Sequence, residues 1–115
     1  MEIDVVGRDF EVDEETRERV DKGFDKVSRQ VSDLARLEVV LREEANPSIA
    51  DKYVAEATLR LKGVTLHAEE RAPRMEAAVK AIARNIGRQV KRHGELRRKR
   101  SVTRRLVGRA KGHES

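Results

Sequence analysis

Three consecutive segments alternate between apolar and polar residues, and this period of two constrains the fold more than any other feature. They are "LEVVLRE" at 37–43, "YVAEATLRL" at 53–61 and "VTLHAE" at 64–69. Such alternation predicts strands with one apolar and one polar face. Lys62 and Gly63 indicate a tight hairpin between the last two. The polar face is expected to carry Glu38, Arg42, Glu56, Thr58, Arg60, Thr65, His67 and Glu69.

One more strand and two helices complete the pattern. "MEIDVV" alternates and is followed by Gly7, which predicts a first strand. Asp13 is the predicted N-cap of a helix over 13–31. Its predicted apolar stripe is Val20, Phe24, Val27 and Val31. Pro73 precedes a second helix, whose predicted stripe is Met75, Val79, Ile82, Ile86 and Val90.

The order β-α-β-β-β-α predicts a two-layer α+β fold. A right-handed crossover makes the first pair of strands parallel, and the two hairpins are antiparallel. We therefore expect a four-stranded sheet with two helices packed on one face. The 115-residue chain is long enough for one such domain, predicted over 1–93. Beyond it, 94–115 is predicted to be a basic tail or linker, with a frayed helix end and a disordered segment.

Charge is divided unevenly along the chain. Residues 74–115 carry fourteen Lys or Arg and three acids, whereas residues 1–73 carry twelve and eighteen. Such an asymmetry favours a polyanionic partner. The last helix is predicted to present an outward basic ridge, and the first helix a second, more mixed one. The cations on these two ridges are Lys80, Arg84, Arg88, Lys91 and Arg92, and Lys22, Lys26 and Arg29.

The sequence offers little chemistry. It has no cysteine, no phosphate-binding Gly-rich loop and no nucleophile motif, so neither an enzyme activity nor a cofactor or metal is expected. His67 and Glu69 share a face and could form an acid–base pair, although a surface histidine explains the pattern better. His93 and His113 lie in basic sequence, where a phosphate contact is a better explanation than a metal site.

Aromatic residues help to select the polyanion. Phe10, Phe24 and Tyr53 are the only ones, and all three lie where packing is predicted. Because none is left to stack on bases, contacts with the phosphates of a folded nucleic acid are favoured over binding to a single strand. The basic helix lacks the apolar residues that would accompany membrane binding, and we find no apolar run of membrane-spanning length and no signal-peptide pattern.

Three stretches resemble one family. "VVGRDFEVDEETRERVDKGFDKV", "GVTLHAEE" and "MEAAVKAIARNIGRQVKRH" are similar to the ribosome hibernation-promoting factors, also called ribosome-associated inhibitors. The similarity covers about residues 1–93. Its most specific parts are Gly7-Arg8 before the first helix, and Arg88-Gln89 with Lys91-Arg92-His93 near the end of the second.

The resemblance implies a function. Members of this family bind the small ribosomal subunit in the channel for messenger RNA and the A-site and P-site transfer RNAs, and they keep ribosomes inactive under stress. The basic residues of both predicted helices would then contact 16S-type ribosomal RNA, in the cytoplasm. This chain has Arg74 and Lys80 where family members usually have acidic residues, and Glu76 where they have an aromatic one. The two cations make the ridge here longer and more positive.

Three questions stay open at the level of sequence. A double-stranded-RNA-binding module has the α-β-β-β-α order embedded in this one, and a protein-interaction module docking an acidic partner would also use a basic helix. The chain is either a natural short form or the first domain of a longer protein. We expect it to be a monomer, with dimerisation only if a C-terminal domain exists in the full-length protein.

Overall fold

The computed structural model describes residues 1–46 and 48–114, and side chains for 1–46 and 48–94. The strands are β1 (Glu2–Arg8), β2 (Arg36–Glu43), β3 (Tyr53–Leu61) and β4 (Val64–Ala72). The helices are α1 (Glu14–Gly23) and α2 (Asp25–Gln30), between β1 and β2, and α3 (Met75–Glu114), after β4. No helix in this described part combines the length and the apolar composition needed to cross a bilayer.

The sheet has the predicted topology. Its spatial order is β1-β2-β3-β4, with β1 parallel to β2 and both following pairs antiparallel. Gly63, at φ +79°, forms the predicted hairpin turn, in the left-handed region that glycine adopts without cost. Gly7 is needed for a different reason, since a Cβ there would lie 2.0 Å from the carbonyl oxygen of Phe10. The predicted α+β class, the strand pairing and the placement of the helices are confirmed.

The first helix differs from the prediction. The single helix expected over 13–31 is two helices, α1 and α2, separated by Phe24 at φ −98° and ψ 10°. The amide of Phe24 still donates a hydrogen bond to the carbonyl oxygen of Val20, so the last turn of α1 is complete. Phe24 itself is fully buried. Phe24 therefore packs in the core as its place in the apolar stripe predicted, whereas the break at this residue was not predicted.

The core lies between the helices and one face of the sheet. Leu37, Val39, Leu41 and Leu59 from the strands are all at most 1% exposed, and they form one cluster with the buried stripe of α3. The backbone of α3 continues to Glu114. The predicted tail or linker over 94–115 has no described side chain beyond Gly94. Its flexibility therefore stays a prediction.

Candidate nucleic-acid interface

A basic groove lies between α1–α2 and α3. It is open, has a volume of about 510 Å³ and contains no carboxylate in its lining. Its floor is made of small or apolar residues: Gly23, Val27, Ala83 and Gly87. A Cβ on Gly23 would contact Ala83 and one on Gly87 would contact Val27, at 3.7 and 3.8 Å, so the helices approach closely. The groove cations are Lys22, Lys26, Arg84, Arg88 and Lys91.

The groove therefore combines five of the eight cations predicted from the sequence. The two predicted basic ridges, one on α1–α2 and one on α3, form the two walls of this groove. All five side chains are exposed. None of them forms an ion pair with another side chain in the described range 1–46 and 48–94. A cation in this state retains its charge for an external anion.

The other three predicted cations lie outside the groove. Arg29 is exposed on α2, where its guanidinium forms an ion pair with Asp25. Lys80 lines a neighbouring recess of about 440 Å³ together with Lys22, but this recess also contains Glu15 and Glu18. Arg92 is exposed and lines neither cavity. Arg29 and Lys80 thus have carboxylates nearby, whereas Arg92 differs from the groove cations only in lying outside the groove.

Hydrogen bonds to β4 fix the rotation of α3 about its axis. The Gln89 amide nitrogen donates to the carbonyl oxygen of His67 at 3.0 Å and to Oδ1 of Asn85 at 2.9 Å. Asn85 in turn donates to Glu70 Oε1 at 2.9 Å. Because Ile82 and Ile86 are fully buried on the same helix, Arg84 and Arg88 are held facing outward. The sequence singled out Gln89 within a motif but gave no sign of this role.

The N-terminus of α1 is capped as predicted. The Thr16 amide donates to Asp13 Oδ1 at 2.8 Å. Hydrogen bonds from Thr16 hold the pKa of the Asp13 carboxyl below its ordinary value. The charged carboxylate also complements the positive end of the helix dipole. Asp13 thus stabilises the helix whose other end presents Lys22 to the groove.

The open face of the sheet has a different electrostatic character. Arg42 lies 3.0 Å from Glu69, 3.5 Å from Glu56 and 3.7 Å from Glu44, and Arg71 also contacts Glu44. Here the positive charges are balanced locally by carboxylates. We use the term sheet network for these five residues.

The acid–base pair considered from the sequence is not formed. His67 Nδ1 lies 2.9 Å from the Thr58 hydroxyl, and Glu69 accepts a hydrogen bond from Arg42. Among the described residues, no group of three His, Asp or Glu is placed to hold a metal ion. The groove is thus the best-defined candidate site, and its chemistry is that of anion binding.

Comparison with known proteins decides the family. Residues 3–98 match the model described as Sigma 54 modulation protein / S30EA ribosomal protein. The chain belongs to this family. It is 30% identical over 93 residues to the ribosome hibernation promoting factor of Salmonella typhimurium, an alignment that covers 81% of this chain and 93% of that protein. The resemblance to hibernation factors is thereby confirmed.

Solved structures agree with this assignment. The crystal structure of the Thermus thermophilus Protein Y N-terminal domain matches with a TM-score of 0.70 and 26% identity, covering 81% of this chain and 99% of that one. A ribosomal subunit interface protein from Coxiella burnetii shares the fold, with a TM-score of 0.68 and 16% identity, covering 83% and 99%. The family is one of ribosome-associated factors rather than enzymes, and neither rival module is favoured.

Proposed function

We propose that this protein is a ribosome hibernation factor that binds small-subunit ribosomal RNA and inhibits translation. It would occupy the channel for messenger RNA and the A-site and P-site transfer RNAs and keep cytoplasmic ribosomes inactive under stress. The observation that carries the proposal is the groove, which has five cations and no carboxylate in its lining. Family membership supplies the ribosome as the partner.

The groove suits an RNA backbone for physical reasons. Cations on two facing walls can contact successive phosphates, and most contacts between proteins and folded nucleic acids go to phosphate and sugar. Each neutralised phosphate releases condensed counterions, which makes binding tighter and steeply dependent on salt. The apolar floor adds no desolvated polar group that would oppose binding. We expect the groove cations to provide most of the affinity, with smaller contributions from Lys80, Arg92 and Arg29.

Co-sedimentation with purified small subunits, at several salt concentrations, tests the proposal. The triple variant Arg84→Gln, Arg88→Gln, Lys91→Gln should lose affinity at least about 100-fold at physiological salt. The slope of log K against log salt should become shallower by about three, one unit for each lost phosphate contact. Folding should be unaffected, because all three side chains are exposed.

The matched control removes the same charge from positions outside the groove. The variant Arg42→Gln, Lys52→Gln, Arg71→Gln also loses three cations, but each of these forms an ion pair with a glutamate in the wild-type protein. It should retain nearly wild-type affinity and salt slope. Equal losses from both triple variants would mean that only net charge matters, and the groove would not be the binding site.

A second experiment addresses the position on the subunit. Subunits loaded beforehand with messenger RNA and a P-site transfer RNA should resist binding, and isolated duplex RNA should compete poorly. Binding that ignored this loading would contradict occupation of the decoding channel. Strong binding to the isolated duplex would instead support a double-stranded-RNA module.

A further inference from the structure

A second cavity opens at one end of the domain, where the α2–β2 connection and the β3–β4 hairpin meet α3. Its volume is about 540 Å³, within the usual range for sites that bind small organic groups. Four aliphatic side chains form its floor: Val31, Ala35, Leu61 and Val90. Leu34 lies at the rim and is 89% exposed. We call this cavity the end pocket.

The rim of the end pocket is cationic. It carries the cations Arg36, Arg60 and Lys62, with His93 beside them, and the lining contains no carboxylate. Arg60 and Lys62 have no ion-pair partner among the side chains described for this protein, and Arg36 reaches only Glu2, at 3.9 Å on the surface. Such an exposed pair contributes little energy. The rim therefore keeps most of its positive charge available.

The sheet register places two of these cations side by side. Arg36 of β2 is directly opposite Arg60 of β3. Like charges in directly opposed positions destabilise a sheet. The only ion pair that either arginine forms among the described side chains is the weak contact of Arg36 with Glu2, and Asp4 and Glu38 line a neighbouring recess together with both arginines. An external anion between the two guanidinium groups would remove the repulsion. The pairing is consistent with a binding role and has no evident structural benefit.

The end pocket adjoins the groove. Gln30, the last residue of α2, lines both cavities. On α3, the consecutive residues Val90 and Lys91 line the end pocket and the groove, respectively. A polyanion that follows the groove towards the C-terminal end of α2 therefore reaches the end pocket, and neither lining contains a carboxylate.

We propose that the end pocket receives an unpaired nucleotide of the same RNA that occupies the groove. Its base would pack against Leu34 and the aliphatic floor, while the flanking phosphates contact Arg36, Arg60 and Lys62. This inference rests on the proposed function and adds a second binding site to it. Extruding a base costs only a few kcal/mol, least when the base is already unpaired, and apolar side chains can then enclose it.

The alternative occupant is an acidic protein segment with one apolar anchor. It would satisfy the same apolar floor and cationic rim. The continuity of the end pocket with the groove favours RNA, because one ligand then accounts for both cavities. With RNA in the end pocket, a nucleotide would lie next to residue 34 in the bound state. With the alternative occupant, a protein side chain would lie there instead.

Cross-linking from residue 34 distinguishes them. Leu34 is replaced by a photoreactive phenylalanine derivative, and the protein is irradiated on small subunits. Cross-links to ribosomal RNA that map to one nucleotide would support the proposal. Cross-links confined to a ribosomal protein would overturn it. The same derivative at Val6, which is 40% exposed on the opposite face of the sheet, should give no RNA cross-link and serves as the control.

A variant provides an independent readout. Leu34→Ala combined with Arg60→Gln should lower affinity for small subunits about tenfold and remove the chemical-probing protection of one nucleotide, leaving the rest of the footprint intact. The control Val6→Ala with Arg17→Gln also removes one exposed aliphatic side chain and one exposed cation, and it should change neither. Thermal melts of both variants confirm folding.

The outcomes separate the end pocket from the groove. If the Leu34/Arg60 variant binds and protects like the wild type while the groove triple variant loses binding, the end-pocket proposal fails and the proposed function stands. If the wild-type protein itself does not bind small subunits, both fail together.

Discussion

The two faces of this domain both carry Lys and Arg, but these cations differ in their surroundings. On the open sheet face, Arg42 and Arg71 are surrounded by carboxylates of the sheet network. On the helix face, no carboxylate lines the groove that contains the groove cations. A cation that is paired within the fold contributes to stability and has little charge left for a ligand, whereas an unpaired one contributes little to stability and can bind. The pairing state of the cations, rather than how many there are, therefore distinguishes the groove from the sheet network.

Replacing one arginine on each face by methionine is the most direct test of this difference between the faces. Arg88→Met should lower affinity for small subunits about tenfold and change the free energy of unfolding by less than about 0.5 kcal/mol. Arg42→Met should do the reverse. Three glutamates would lose a shared partner whose side chain is only about a quarter exposed. The free energy of unfolding should therefore fall by about 1–2 kcal/mol, while the affinity for small subunits should stay within about twofold of the wild-type value.

Urea unfolding and co-sedimentation on the same two preparations check this prediction. The comparison fails if Arg42→Met weakens ribosome binding as much as Arg88→Met does. It also fails if Arg88→Met destabilises the fold, because its charge would then be serving a structural role.

Two cations on the same helix sharpen the comparison. Lys26 lines the groove, whereas Arg29 on the same α2 is paired with Asp25. Lys26→Gln should therefore reduce the salt slope by about one unit, and Arg29→Gln by clearly less. Asp25→Asn should release Arg29 and increase affinity slightly.

Affinities of the three single variants, measured at several salt concentrations, test this ranking. Equal effects of Lys26→Gln and Arg29→Gln would show that local pairing does not control which cations bind. Folding is not expected to differ, since an exposed pair at i,i+4 spacing contributes only about 0.3–0.5 kcal/mol.

The period of the hydrophobic pattern was sufficient to predict most of the fold. It predicted the strands and the apolar face of the sheet, because burial on one side imposes a period of two on the sequence. The pairing of the strands was predicted from the right-handed crossover and the two hairpins. It did not predict that Val40 and Val54, on the polar face, are 9% and 0% exposed. Val54 has Arg42 and Arg71 as its cross-strand partners, and the aliphatic stems of such residues cover apolar neighbours. That effect depends on strand register, which alternation within one strand does not report.

The outward orientation of the site cations was predictable from the sequence, but their ion pairing was not. Helical spacing predicted which cations face outward, and all eight are exposed. Whether a given cation is paired depends on the neighbouring turn or element, as the difference between Lys26 and Arg29 shows. The end pocket was missed altogether, because Leu34 lies in a connection without periodicity and Arg36 and Arg60 meet only through the sheet. Cross-strand register would have been the signal.

The smallest expected effect concerns the cap of α1, and it separates folding from binding on the helix side itself. The pKa of Asp13 is below its ordinary value of 3.8 because of hydrogen bonds from Thr16. A lowered pKa in the folded state means that the carboxylate stabilises the fold fully above 3.8, and that this contribution declines as pH falls through the folded-state pKa. Asp13→Asn keeps an oxygen acceptor for the Thr16 amide but loses the charge. Its melting temperature should be slightly lower than that of the wild type at neutral pH, and the two should converge in acid. Melting curves of both proteins between about pH 2 and pH 7 measure this, and a difference that stays constant into acid would show that the charge is not responsible. Affinity for small subunits at neutral pH should be unchanged, because Lys22 lies at the opposite end of α1 from the cap.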